Sequence, residues 1–321
     1  MKYFAYAKFF AFMLLFLLIS CADKPSELLK VGVNQWPGYE PMFLARDLGY
    51  LPKHKVKLVE LPSSTESITL LRGGRLDAAA LTLDEALSVM DMGTELTIVL
   101  VFDFSNGADV LLAKPSLKTL ADIRNHRVGV ESTGVGALLF YAALNHAGLE
   151  SDDVQVVYVP ADEHEEAYTS GKVDAVVTFE PIESRLKQHG AHVLFDSRVV
   201  PDLIVDVLAV RTEQLEKQRE NIFQLVQAYA KARAYMEQHA EKSVNLMAPR
   251  LHITTHALQQ TYQDLILPSV SENIAYFSGS PSKFERHTRE VYDLMRNRGM
   301  IKHQFSVSHI QDKTFVTHVK L

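Results

Sequence analysis

The chain has 321 residues, of which 47% are hydrophobic, 22% charged and 9% aromatic, and these globular proportions exclude a disordered, collagen-like or low-complexity protein. Its formal charge is −6, from 33 basic and 39 acidic residues with no basic block, so there is no electrostatic footprint for nucleic acid. A single cysteine excludes a disulfide framework or a Cys-rich metal site within one chain.

Lys2 and Lys8 precede an uncharged run from Phe9 to Ile19 that stops at Ser20-Cys21. A basic start and an apolar core of about 7–15 residues predict an export signal over residues 1–20. The run is too short for a spanning helix, which needs about 20 apolar residues. Leu18-Ile19-Ser20-Cys21 resembles the bacterial lipoprotein signal. That resemblance implies that Cys21 is lipidated and becomes the new N-terminus, with residues 21–27 as a tether; several acyl chains would hold the protein firmly. Removal of residues 1–20 leaves 31 basic and 39 acidic residues, a formal charge of −8. The expected location is the periplasmic side of a bacterial membrane, and Ala22 leaves inner and outer membrane open.

The remainder contains one unit twice. Val31-Gly32-Val33-Asn34 recurs as Val128-Gly129-Val130-Glu131, and Val56, Leu58 and Pro62 recur as Val154, Val156 and Pro160. Gly74-Arg75-Leu76-Asp77-Ala78 recurs as Gly171-Lys172-Val173-Asp174-Ala175, and Thr82-Leu83-Asp84 as Thr178-Phe179-Glu180, all at offsets of 96 to 98. Two copies are too few for a solenoid and predict two lobes. In the first copy, apolar strands are expected at Leu29–Val33, Val56–Leu61 and Ala78–Leu81, with helices at Pro41–Leu48 and Glu66–Leu71 stopped by glycines. In the second, strands are expected at Val128–Val130, Val154–Val159 and Ala175–Phe179, with a helix from Val135 to His146. Continuous apolar runs alternating with Gly-terminated helices indicate parallel strands buried on both faces, in an α/β sheet per lobe.

Thr97–Phe102, Asp109–Ala113 and Leu203–Val210 are also β-like and are the natural crossings between lobes. Lobe 1 is therefore expected to comprise residues 28–107 and 205–321, and lobe 2 residues 108–204. From Glu213 the pattern turns helical to about Arg298 and is expected to pack on lobe 1; residues 303–321 show too little pattern to assign. Asp77 and Asp174, at the shared Gly-x-x-Asp turn, read as structural.

Ligands of open α/β sheets bind at the carboxyl ends of the strands, where helix N-termini also point. The loops there hold Asn34, Trp36 and Tyr39; Ser64 and Thr65; Thr82 and Asp84; Glu131, Ser132 and Thr133; and Phe179 and Glu180. Two lobes presenting these loops would form a cleft with aromatic walls and hydroxyl or amide groups, the composition of a small-molecule site. The bland alternatives are that Trp36 is core, that Ser64, Thr65, Ser132 and Thr133 cap helices, and that Asp84 and Glu131 complement helix dipoles.

The segments Asn34-Gln35-Trp36-Pro37-Gly38-Tyr39, Gly74 to Thr82 and Asp174 to Pro181 resemble the solute-binding proteins of nitrate, sulfonate and taurine ABC importers, a superfamily that includes pyrimidine-binding relatives of thiamine-precursor uptake. The resemblance spans about Leu28 to Tyr235. It implies a type II periplasmic-binding-protein fold, two α/β lobes closing about a hinge near Ser105 and Asp206. It also implies capture of a solute outside the cell and delivery to an ABC permease in the inner membrane; a monomer with no cofactor is expected. A sensing lipoprotein acting on a membrane partner would need the same closure and stays open.

The strand-end loops hold Glu40, Asp84, Glu85, Glu131 and Glu180 but no Lys or Arg. Like-charge proximity in a closed cleft opposes an anion, so a neutral or cationic nitrogen compound such as an aminopyrimidine is expected over nitrate or a sulfonate. No phosphate-cradling loop, nucleophile elbow or His-Glu-x-x-His is present, so no catalysis is expected. His252 and His256, four apart, read as a solvated helical face rather than a metal pair, and His164 as part of a charged helix start.

Overall fold

The structure is a computed structural model that describes residues 28–131 and 135–320. The expected export signal, Cys21, Ser132 and Thr133 lie outside the described residues.

The described chain builds two mixed sheets. In chain order the strands are β1 (Leu29–Val33), β2 (Val56–Glu60), β3 (Ala78–Thr82), β4 (Leu96–Ser105), β5 (Asp109–Ala113), β6 (Arg127–Val130), β7 (Gln155–Tyr158), β8 (Ala175–Phe179), β9 (His192–Asp196), β10 (Val205–Arg211) and β11 (Leu265–Ile266). One sheet has the order β11-β4-β10-β3-β1-β2 and the other β7-β6-β8-β5-β9. β1 pairs in parallel with β2 and β3, and β6 does the same with β7 and β8. β3 and β8, the continuous apolar runs of the two copies, are buried at every position.

The repeat is structural to the level of single hydrogen bonds. Asp77 accepts the Lys30 backbone N–H at 2.8 Å, and Asp174 accepts that of Arg127 at 3.2 Å. The preceding glycines, Gly74 and Gly171, have φ of 67° and 77°, a conformation that a Cβ disfavours. Asp174 is held further by Arg127 (2.8 Å) and Lys114 (3.0 Å), which keep its carboxyl well below the usual range.

The sheets are mixed rather than parallel, for a topological reason. After β4 the chain passes through three residues into the second sheet, where β5 runs antiparallel to β8 and β9. It returns as β10, antiparallel to β3 and β4. Each sheet thus takes one strand from the crossing chain, inserted between its third and fourth strands. A chain entering over a short link from the strand-end side must run back along the sheet, and so enters antiparallel.

The C-terminal helices pack on the first sheet. Asn273 donates to the Val101 carbonyl at 3.1 Å and accepts its N–H at 2.8 Å, and Tyr229 donates to the Phe102 carbonyl at 3.1 Å. The tail that shows no sequence pattern is also tied to β4: Ile98 donates to Ile310 and accepts from Asp312. Phe315 and Val316, on a one-turn helix, are buried. His252 ends the helix Ala240–Leu251 in the left-handed conformation, and the next helix begins at Thr255, so His252 and His256 do not share a helical face. His164 starts its helix but is buried, bonded at 3.1 Å to both Thr178 and the Val159 carbonyl, and burial pushes its pKa down to about 4.

Candidate functional site

The carboxyl ends of β1 and β3 face those of β6 and β8 across a cavity. From the first sheet Asn34, Trp36, Tyr39, Ser64, Thr82, Glu85 and Asp206 line it; from the second, Asp109 and Phe179 do. Its open volume is ≈ 20 Å³, room for about one water-sized sphere. A wider vestibule of ≈ 350 Å³ adjoins it, sharing Asn34 and Phe179 and reaching Arg185 and Arg250 at its rim. A larger cavity of ≈ 590 Å³ lies among the helices Arg219–Gln238, Ala240–Leu251 and Thr255–Thr261 and touches none of these strand-end residues.

Trp36 sits on a turn, as its neighbours Asn, Gln, Pro and Gly predict, yet its ring is buried. The indole meets Phe179 of the other sheet edge to face, with centroids 5.5 Å apart, and donates its N–H to Asp103 at 3.2 Å. Tyr39 packs on Phe102 and donates its hydroxyl to Asp206. Gly38 is needed between them: a Cβ there would fall 1.8 Å from the Asp103 carboxylate and 2.5 Å from the Trp36 nitrogen. Gly38→Ala is expected to break the Trp36–Asp103 bond and lower stability by about 1–3 kcal/mol, read from the urea midpoint.

Ser63, not Ser64, caps its helix by accepting the Glu66 N–H. Ser64 and Thr65 instead reach across to the other sheet and donate to Glu131, at 3.2 and 2.7 Å. Asp84 is buried beside the cavity without lining it, while Glu85, which follows it, accepts the Thr82 N–H at 2.9 Å and does line it. Glu180 is not among the lining residues: its carboxylate turns back to its own helix start and accepts from Ser184 N–H (3.1 Å) and hydroxyl (2.5 Å). Glu40 belongs to a different environment. It is completely buried in an ion pair with Arg250, which also lies 3.5 Å from the Phe43 ring centroid.

Three carboxylates not expected at the cavity from the sequence lie at or behind its wall: Asp109 and Asp206 line it and Asp103 backs Trp36, each at most 3% exposed. Asp206, the second residue of the crossing strand in one sheet, lies opposite Thr82, and Asp109, the first residue of its counterpart in the other, lies opposite Phe179. Asp206 also pairs with Asp103 of β4, so two carboxyls face each other across neighbouring strands. All three lie outside the repeated segments, which is why the repeat did not reveal them. Their signal was an acid inside an apolar strand pattern, where charged residues are almost never buried without a partner.

Burial dominates their electrostatics. It pushes Asp84 up to about 6 and Asp109 up to about 7, the latter helped by Asp84 and Glu183. Asp103 is pushed up to about 8 by burial and by Asp109. Asp206 and Glu85 are also raised well above the carboxylate range, first by burial and then by neighbouring carboxylates: Asp103 beside Asp206, Glu131 and Asp84 beside Glu85. Protonated, each of these carboxyls offers one O–H donor beside its acceptor oxygens; ionised, it only accepts, which suits hydrogen-bond donors and opposes anions.

The NMT1-like family profile matches residues 22–248. An aliphatic sulfonates-binding protein of Escherichia coli (strain K12) is 27% identical over 234 residues, covering 71% of this chain and 72% of that protein. Among solved structures, the alkanesulfonate-binding protein SsuA from Xanthomonas axonopodis pv. citri, bound to MOPS, superposes with a TM-score of 0.74 at 17% identity, over 91% of this chain and 99% of its own. The desulfurization enzyme DSZB superposes with a TM-score of 0.64 at 15% identity, over 90% and 98%. The two-lobed α/β fold is thus that of periplasmic binding proteins, and it is shared by at least one enzyme. The chain belongs to the NMT1-like family.

Proposed function

We propose that this member of the NMT1-like family is the extracytoplasmic solute-binding component of an ABC importer. Two lobes, residues 28–107 with 205–321 and residues 108–204, close about the crossings near Ser105 and Asp206 on a small nitrogen-bearing solute, neutral or cationic, such as an aminopyrimidine. The protein works as a monomer, held to a membrane by a lipid on Cys21, and passes the solute unaltered to a permease. The observation that carries this reading is the cavity itself: strand-end residues of both sheets enclose it, and Trp36 and Phe179 meet across it.

A second reading, capture of a sulfonate, has the relatives' names and the rim guanidiniums in its favour. Those guanidiniums are already engaged, Arg185 with Glu165 at 2.6 Å and Arg250 with Glu40 and Glu60, and the inner cavity is acidic. A thermal-shift screen of the purified protein against aminopyrimidines, small amines, nitrate, taurine and alkanesulfonates separates the two. A ligand at about 100 times its Kd adds roughly 2.7 kcal/mol and raises Tm visibly. Stabilisation by amines or pyrimidines alone supports the first reading, whereas stabilisation by sulfonates or nitrate alone replaces it with the second. A hit in neither class would favour a sensing role for another ligand.

A further inference from the structure

We propose that the cavity takes its solute as a donor-only organic cation, an ammonium, amidinium or guanidinium, which enters in exchange for protons on the surrounding carboxylates. The proposal rests on the solute-binding reading above and narrows its ligand class.

Unpartnered oxygens are its starting point. Asp109 lines the cavity at 3% exposure, and its Oδ2 has no hydrogen-bond partner. Asp84 Oδ2, Asp103 Oδ1 and Glu131 Oε2 are equally enclosed behind the lining, although these carboxyls also engage Thr82, Asp206 and the Thr65 and Ala161 backbone respectively. A buried acceptor left unmade is costly, and more so when charged. These four oxygens come from both sides of the cleft, Asp84 and Asp103 from the first sheet and its helix, Asp109 and Glu131 from the second. Ionised carboxylates only accept, so the complementary head group only donates: an ammonium has three N–H bonds and a guanidinium five, with no acceptor among them. Donors satisfied from both lobes at once would favour the closed state.

The groups facing the cluster hold few opposing charges. Glu85 and Asp84 come from the helix Leu83–Asp91, Asp103 from β4, Asp109 from β5 and Asp206 from β10. Glu131 follows β6, and the Tyr39 phenol enters from the first loop. Glu183, on the helix Ile182–Gln188, is paired with Lys187 at 2.6 Å, and Glu180 with Ser184. The Tyr229 phenol feels Asp103 and Asp206, and Arg233, whose charge acts on it in the opposite sense, bonds Glu237 at 3.3 Å. With no guanidinium or ammonium in contact among the described residues, protons neutralise these carboxyls, and burial holds those protons up to about 7 on Asp109 and about 8 on Asp103. A cation binding there competes with them, so its affinity rises with pH until the carboxyls are ionised.

Isothermal titration calorimetry of the purified protein with n-butylammonium, benzamidinium and methylguanidinium, at pH 6, 7.5 and 9 and in two buffers of different ionisation enthalpy, tests this. The expected result is that at least one cation binds, releases close to one proton per site at pH 6 and almost none at pH 9, and tightens at least tenfold over that range. Asp109→Asn, which keeps the side-chain size, is expected to weaken the same cation tenfold or more and to reduce the proton count, with the melting transition retained. Failure of all three cations, or binding with no proton release at any pH, overturns the proposal. A neutral aminopyrimidine that binds without proton release would overturn this proposal alone, whereas butanesulfonate binding in the same cell would overturn the nitrogen-solute reading beneath it.

Discussion

Arg250→Met is expected to lower the unfolding free energy by about 3–5 kcal/mol, the usual cost of stripping one partner from a buried ion pair. Glu40 is completely buried, and Arg250 grips both of its oxygens while stacking on Phe43. Even with that partner, burial raises the Glu40 pKa, so desolvation already outweighs the attraction. Once the guanidinium is gone, the carboxylate must take a proton or draw in water. The double variant Glu40→Met/Arg250→Met is expected to recover most of the loss, because a well-packed apolar pair leaves no orphaned charge. Urea denaturation of the two variants and the parent gives the result; equal losses in the single and double variants would refute it. Glu40 opens the helix that follows the Trp36–Tyr39 turn, so the single variant is also expected to loosen the cavity wall.

Between pH 5 and pH 9 the protein is expected to lose on the order of 3 kcal/mol or more of stability when no solute is added. Asp84, Asp109 and Asp103 have native pKa values pushed up to about 6, 7 and 8, against ordinary carboxylate values near 4 in the unfolded chain. For a group raised on folding, the unfolded state binds fewer protons in the window between the two values. The stability present below about pH 4 is therefore lost as pH rises through the native pKa. Asp174 works in the opposite sense, since its depressed pKa protects the fold above about pH 4 and fails only in acid. Maximum stability should therefore fall near pH 5. Asp103→Asn is expected to flatten the alkaline limb, since an amide cannot ionise, and urea midpoints at pH 5, 7 and 9 would show it. A parent whose midpoint is constant across that range would mean that the cluster is solvated in solution.

The parts of this protein that could be read from the sequence are those encoded locally or by repetition. β3 and β8 are continuous apolar runs, Gly74 and Gly171 close helices before them, and Asp77 and Asp174 recur at one spacing, so the strands, the two α/β units and their turns followed directly. Trp36, Tyr39, Thr82 and Phe179 could be placed at strand ends, where such sheets bind ligands, and all four line the cavity. Glu40 and Glu180 looked equivalent to them by position, but neither lines the cavity, and the partners they take instead, Arg250 at 210 residues' distance and Ser184 at four, are chosen by packing and side-chain rotamer.

Local pattern and repetition thus specify the duplicated unit and the set of loops that could face a ligand. How the chain crosses between sheets does not follow from them, because insertion of β5 and β10 depends on pairings between distant strands. That crossing sets Asp109 and Asp206 at equivalent ends of the two inserted strands and brings Asp103 beside Asp206. The acidic character of the cavity is therefore a long-range property: the charge of a buried carboxyl is governed by its neighbours and by the loss of water around it, neither of which is written in the residues next to it.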